Sequence, residues 1–134
     1  NIYNSSKLDE LRFESDVFEL LPFEEDEVRS NQILESNIYV YGDKDIRGFC
    51  AYKGTEIRAF FVHPDARGKG IGIQLLECML SNIAGSATLY VASSNVPAIT
   101  LYQKYDFENG PQFETTYNGT SVLANKMQRS KNNI

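Results

Sequence analysis

The chain has no tryptophan, one histidine, two cysteines and two methionines among its 134 residues. Each scarcity removes a class of function. His63 and two thiols that form no C-x-x-C pair do not make up a common metal-ligand set, so no metal is expected. Cys50 and Cys78 read instead as free thiols in a reducing cytosol. Positive charge is also in short supply: 13 Lys and Arg face 18 Asp and Glu, a net charge of −5. A nucleic-acid binder needs a basic face for phosphates, so no nucleic-acid partner is expected. No apolar run reaches the roughly 18 residues of a membrane-spanning helix, so no membrane partner is expected either. The first residues, NIYNSSKLDEL, lack the basic-then-apolar order of a secretory signal. A cytoplasmic location is the expectation.

What is present is ordinary globular material, 42% apolar and 23% charged, enough for one buried core. Residues 1–127 read as a single domain, followed by the polar tail 128–134, QRSKNNI. Leu8, Leu11, Phe18 and Leu21 recur at helical spacing before Pro22, which predicts a helix over 6–21. The acidic run from Glu24 to Glu27 complements a helix dipole and opens a second helix to about Ser36. Strands are predicted at 38–41 and 48–53 around the turn residues 42–45, and again at 56–62. Ile71, Leu75, Leu76, Met79, Leu80 and Ile83 line one face of a helix ending near Gly85. A buried-type strand follows at 87–92, then a helix capped at Ser94-Asn95 and running to Tyr105. Segments 111–117 and 121–127 flank Asn118-Gly119, a strong hairpin signal. The order implies an α+β fold around a mixed sheet.

The densest chemistry lies in FFVHPDARGKGIGIQLLE, residues 60–77. A strand runs into Pro64, and glycine then occupies positions 68, 70 and 72 at the start of a helix. Without Cβ atoms, backbone N–H groups there can converge on an anion. The first amides of a helix have no internal partner and carry the positive end of its dipole. A phosphate or diphosphate is the natural occupant, with Arg67 and Lys69 as cations at the rim. The dinucleotide fingerprint G-x-G-x-x-G fails, because Ile73 or Leu75 falls where the third glycine should stand. A Walker loop fails too, because Gly68-Lys69 is followed by Gly70 rather than Ser or Thr.

Arg67-Gly68-Lys69-Gly70-Ile71-Gly72 does fit R/Q-x-x-G-x-G/A, and so resembles the acetyl-coenzyme A signature of the GNAT superfamily of N-acetyltransferases. NVPAITLYQKYDF, residues 95–107, resembles that family's second motif, N-x-x-A-x-x-L-Y-x-K-x-G-F, with Asp106 where glycine is usual. The resemblance covers nearly the whole chain. It implies a GNAT-like acyl-CoA N-acyltransferase fold, a mixed and mostly antiparallel sheet of six to seven strands flanked by about four helices. It implies acetyl-CoA as co-substrate in a cleft where the sheet splays between the family's fourth and fifth strands. The signature residues from Arg67 to Gly72 would hold the diphosphate, and the pantetheine arm would lie along Phe61 and Val62. Asn95 would bond the cofactor, Ala98 would line its site, and Tyr102, two helical turns from Asn95, would sit near the thioester sulfur.

The implied reaction moves an acetyl group to a primary amine of a small molecule or peptide, by direct attack in a ternary complex. A lysine-like amine at pH 7 lies about 3.4 units below its pKa, a penalty of ~4.6 kcal/mol, so a base is needed. Glu56, at the start of the signature strand, is the first choice, because some family members carry a glutamate base there. Tyr102 would protonate the departing thiolate, and a backbone N–H near Val62 would polarise the carbonyl. His63 is expected to stand aside, and Glu24, Glu25 and Glu27 read as a solvated helix start, the alternative being that they line the acceptor entrance and attract a cationic amine. The alternative is a non-catalytic CoA-binding sensor or interaction module of the same fold. The acceptor is not specified, and either a monomer or a homodimer is compatible with the chain.

Overall fold

In the computed structural model, which describes residues 2–11, 14, 20–42, 46–83 and 85–130, a six-stranded sheet runs in the order β1-β2-β3-β4-β6-β5. Strands β1 (Asn37–Gly42), β2 (Ile46–Lys53) and β3 (Glu56–Val62) form an antiparallel meander. Helix α3 (Ile71–Asn82) then crosses over to β4 (Ala87–Ala92), which lies parallel to β3. Helix α4 (Val96–Lys104) leads into the hairpin of β5 (Phe107–Tyr117) and β6 (Thr120–Arg129), and β6 pairs with β4. This is the mixed α+β sheet that the sequence implies. No helix among the described residues is long and apolar enough to cross a membrane.

Two apolar clusters cover the sheet. One packs Leu75, Leu76 and Met79 of α3 and Ile99 and Tyr102 of α4 against Cys50, Leu89, Val91 and Met127. The other sets Tyr3 and Ile33 against Ala51, Ala59 and Phe61. Tyr3 comes from α1 (Ile2–Ser6) and Ile33 from α2 (Glu27–Leu34). Close approach of α3 to the sheet depends on Gly48. A Cβ there would lie 3.0 Å from Leu75 Cδ1 and 3.1 Å from the Phe61 carbonyl oxygen, tighter than a packed core accepts without shifting.

The parallel pair is incomplete, and that sets the site. Glu56 is in register with Thr88, and the Thr88 N–H donates to the Thr55 carbonyl at 2.8 Å. Beyond that point the two strands part, while β4 stays paired with β6 from Ala87 to Ala92. The opening therefore falls between the third and fourth described strands, one place earlier in chain order than the family scheme has it.

The N-terminal reading is revised. In place of one helix from 6 to 21 there is α1, then a 3-10 turn at Lys7–Leu11; residues 12, 13 and 15–19 lie outside the described residues. The tighter winding eclipses positions three apart, and Lys7 and Glu10 pair at 2.8 Å. Helix α2 starts only at Glu27, the last residue of the acidic run, because Asp26 becomes its N-cap, accepting from the Arg29 N–H at 3.1 Å. The expected turn at 42–45 falls largely outside the described residues, as does the end of the tail from 131.

Strand β5 begins at Phe107 rather than at Pro111. Asp106, at φ 71°, ends the preceding helical turn in the left-handed conformation and sends the chain directly into the strand. Pro111 lies within a bulge between Asn109 and Gln112, where the ladder does not require its missing N–H. The hairpin turns at Asn118 and Gly119, with φ 48° and 82°, the left-handed pair that a tight two-residue connection needs.

Candidate active site

A cleft of about 290 Å³ opens where β3 and β4 separate, lined by Phe60–Val62, Ala66–Gly68 and Gly70–Gly72, with Asn95 and Leu101 of α4 and Ser6 and Glu10 of the N-terminal segment. The His63 N–H donates to the Arg47 carbonyl at 2.8 Å. Antiparallel bonding alternates along a strand, so the main-chain groups of Val62 point away from β2 toward the gap. The Val62 carbonyl there accepts from the Ser6 hydroxyl and from Arg67 Nε, each at 3.2 Å. That arrangement tethers both the N-terminal segment and the glycine-rich turn to the end of β3.

The turn presents main-chain donors. Gly68 and Gly70 have φ 79° and 78°, and an ideal Cβ at either would meet only open space. Strain in the left-handed region, rather than crowding, is what favours glycine there. Gly70 sits at the N-cap of α3 and offers no side-chain cap, and the first i→i−4 bond runs from the Gln74 N–H to the Gly70 carbonyl at 3.1 Å. The amides of Ile71, Gly72 and Ile73 thus have no acceptor within their helix and face the positive end of its dipole. This donor set fits a diphosphate.

A second cavity, about 200 Å³, continues from the cleft and shares Glu10, Phe60, Asn95 and Leu101 with it. Its remaining walls are Tyr90, Val91 and Ala92 of β4 and Ala98 and Tyr102 of α4. Asn95 occupies the N-cap of α4, yet its side chain makes no capping bond. One reason is local: Pro97 at the second helical position has no N–H to offer. The Asn95 amide therefore stands between the two cavities rather than on the helix end. Tyr102 is buried, with its ring 5.8 Å from Phe107 and 6.2 Å from Phe60. Burial raises its phenol above the ordinary tyrosine range, and the nearby Glu10 carboxylate adds to the shift. The hydroxyl accordingly stays protonated at neutral pH.

The sequence-selected residues divide between these walls. Phe61, Val62, Arg67, Gly68, Gly70, Ile71, Gly72 and Asn95 line the first cavity, and Asn95, Ala98 and Tyr102 the second. The Phe61 ring itself is buried on the other side, 5.3 Å from Tyr3 and 5.5 Å from Phe49. Lys69 is exposed outside these walls. Glu56 is not brought to the site. It sits at the closed end of the split, where Arg58 Nε holds its carboxylate at 2.8 Å. His63 Nδ1 accepts from the Asp65 N–H at 3.1 Å and caps a short 3-10 turn. Cys50 is fully buried, and desolvation pushes its thiol up to about 12, far from a nucleophile's range.

Sequence reading passed over Phe60 and Glu10. Phe60 shares the strand face of Val62, so the two-residue period alone could have found it. Glu10 lies in a stretch with no motif around it, and only the folded chain brings it here.

Comparison with known proteins settles the family. Residues 34–109 match the model of the acetyltransferase (GNAT) domain. The chain belongs to the GNAT acetyltransferase family. Over 61 residues it is 38% identical to the peptidyl-lysine N-acetyltransferase YjaB of Salmonella typhimurium, a match covering 46% of this chain and 41% of that protein. Over 72 residues it is 32% identical to the L-methionine sulfoximine/L-methionine sulfone acetyltransferase of Pseudomonas aeruginosa, covering 51% and 41% respectively. The match thus spans about two fifths of the length of these curated relatives. Among solved structures, yncA of Salmonella typhimurium, described as a putative acetyltransferase with its cofactor acetyl-CoA, superposes with a TM-score of 0.67. That match covers 99% of this chain and 86% of the other at 17% identity, which speaks to the fold. The described residues form the GNAT α+β fold.

Proposed function

We propose that this GNAT domain transfers an acetyl group from acetyl-CoA to a primary amine by direct attack in a ternary complex. The observation that carries the reading is the split of β3 from β4, which joins an uncapped helix N-terminus to a buried, protonated tyrosine through one continuous cleft. The N–H groups of Ile71–Ile73 would receive the diphosphate, with Arg67 at the rim. Asn95 would bond the pantetheine arm, and the Val62 N–H, directed into the gap, would polarise the thioester carbonyl. Tyr102 would donate to the sulfur as the carbon–sulfur bond breaks. Acetyl-CoA supplies the activated acyl group, and the chain's own residues align and polarise it. An amine acceptor is consistent with the names of both curated relatives, one acting on peptidyl lysine and one on methionine sulfoximine or sulfone.

Thiol release, followed with acetyl-CoA and a panel of spermidine, N-α-acetyl-lysine amide and L-methionine sulfone, tests the reading. Release dependent on at least one amine is expected, together with acetyl-CoA binding by titration calorimetry. Binding without release from any amine would favour a CoA-binding sensor or interaction module. Absence of binding would overturn the site.

A further inference from the structure

Glu10 lines each of four cavities, and no other described residue lines all of them. Two are the cleft and the Tyr102 pocket. The third, about 50 Å³, lies between β3 and β4 beside Arg29 and Arg58. The fourth, about 160 Å³, runs between the 3-10 turn and the β5–β6 hairpin and is walled by Lys7, Tyr90, Thr115, Thr116 and Tyr117. Glu10 thus stands where the space assigned to the thioester meets two chambers that the cofactor reading leaves unused.

The carboxylate is held there. Lys7 Nζ binds its Oε2 at 2.8 Å, and Lys7 is largely buried, its Nζ 5.9 Å from the Tyr3 ring centre and 5.2 Å from that of Tyr117. Oε1 has no hydrogen-bond partner among the described residues. A carboxylate accepts at both oxygens, so one side is anchored and the other is open to a donor. Among the described residues, the charged groups near it are Lys7 from its own turn, Arg29 from α2, Arg58 from β3 and Asp26, which acts on the same Tyr3 and Tyr117 phenols; the phenols are Tyr3, Tyr90, Tyr102 and Tyr117. Both arginines are engaged elsewhere, Arg29 with the Arg58 carbonyl and Arg58 with Glu35 and Glu56.

We propose that Glu10 receives the ammonium group of the acceptor and removes its proton, the catalytic role for which the sequence reading chose Glu56. This rests on the acetyl-transfer reading above and names its base. Glu10 takes one proton from R–NH3+ and passes it to solvent. The freed nitrogen lone pair forms the C–N bond at the thioester carbonyl carbon, and the carbonyl π electrons move to oxygen. As the C=O re-forms, the C–S bond breaks and the thiolate takes the Tyr102 proton. The second proton shed by nitrogen replaces it on Tyr102 through water. The sum is R–NH3+ plus acetyl-CoA giving amide, CoA thiol and one proton. With a single unengaged carboxylate oxygen and neutral Thr115 and Thr116 beside it, the acceptor class is a compact amine arriving as a cation.

Glu10→Gln keeps the shape and removes the charge. Thiol release by the full chain with N-α-acetyl-lysine amide should fall on the order of 100-fold at pH 7, as expected for loss of a general base. Acetyl-CoA affinity should stay within twofold. The deficit should narrow to less than about tenfold by pH 9.5, as an amine of pKa near 10.4 loses its proton in solution. Glu10→Asp should recover part of the rate. A Glu10→Gln rate within threefold of wild type at pH 7, or a deficit constant across the pH range, would overturn the assignment. A wild-type chain that binds acetyl-CoA yet releases no thiol with any amine of the panel would overturn the transfer reading and this proposal together.

Discussion

The two ends of β3 are built for opposite purposes. At the Glu56 end the strand is closed: it pairs with Thr88, and its charges are matched within a surface network of Glu56, Arg58, Glu35 and Lys53. Hydrogen bonding from Arg58, helped by Lys53, holds the Glu35 carboxyl below its usual range. At the Val62 end no strand follows on the β4 side, and the main chain is met instead by side chains of Ser6 and Arg67. One strand is therefore paired at one end and opens its main chain to the cleft at the other. The difference also separates two carboxylates of the same type. Glu56 is paired with Arg58 and lines none of the described cavities, whereas Glu10 has one oxygen fixed and the other open beside the cleft.

The contrast can be broken most severely at the open end. Gly70→Asp places a carboxylate at the uncapped start of α3, and acetyl-CoA affinity measured by calorimetry should drop about 100-fold or more through loss of the anion site; a change under threefold would move the ligand elsewhere. If the hydroxyl acts on the leaving group as proposed, Tyr102→Phe should lower turnover by about 10–100-fold and leave acetyl-CoA affinity within twofold. Turnover within twofold would remove Tyr102 from the chemistry.

Smaller effects are expected away from the gap. Cys50 pairs with Phe60 across β2 and β3, and its folded-state pKa of about 12 exceeds the unfolded value of roughly 8.5. Between these values the folded chain binds more protons than the unfolded chain, so its contribution to stability is complete below about pH 8.5 and declines as pH rises toward 12. Denaturant unfolding from pH 8 to 10.5 should show that decline, with a shallower slope in Cys50→Ala; an unchanged slope would refute the assignment. The smallest effect belongs to the closed end. Glu56→Gln should leave turnover within twofold and lower Tm by no more than about 4 °C, since a partly exposed ion pair contributes about 0–1 kcal/mol. A tenfold loss of turnover would return the base to Glu56.

Legibility in the sequence tracked how local each feature is. The ends of β3 and β4 and the start of α3 were readable because apolar alternation and a glycine turn are written in consecutive residues. The glycine turn at one end of the cleft was readable for the same reason: Gly68 and Gly70 answer to backbone strain within a few residues. Asn95 and Tyr102 were readable because one helix holds them two turns apart. The start of β5 was missed because Asp106 adopts a conformation usually given to glycine and Pro111 is absorbed by a bulge. The N-terminal helix was overdrawn because an apolar spacing near three to four suits a 3-10 turn as well as an α-helix.

By itself, then, the amino-acid order determined the alternation of elements, the glycine-rich turn before α3 and the placing of Asn95 and Tyr102 two helical turns apart, all of which depend on neighbours within a few turns of chain. Only the tertiary structure decided where β3 leaves β4, that Glu56 lies at the closed end, and that Glu10 is carried to the junction of four cavities. Those outcomes depend on contacts between segments far apart in sequence, such as Ser6 with Val62 and Tyr102 with Phe60, and no local preference encodes them.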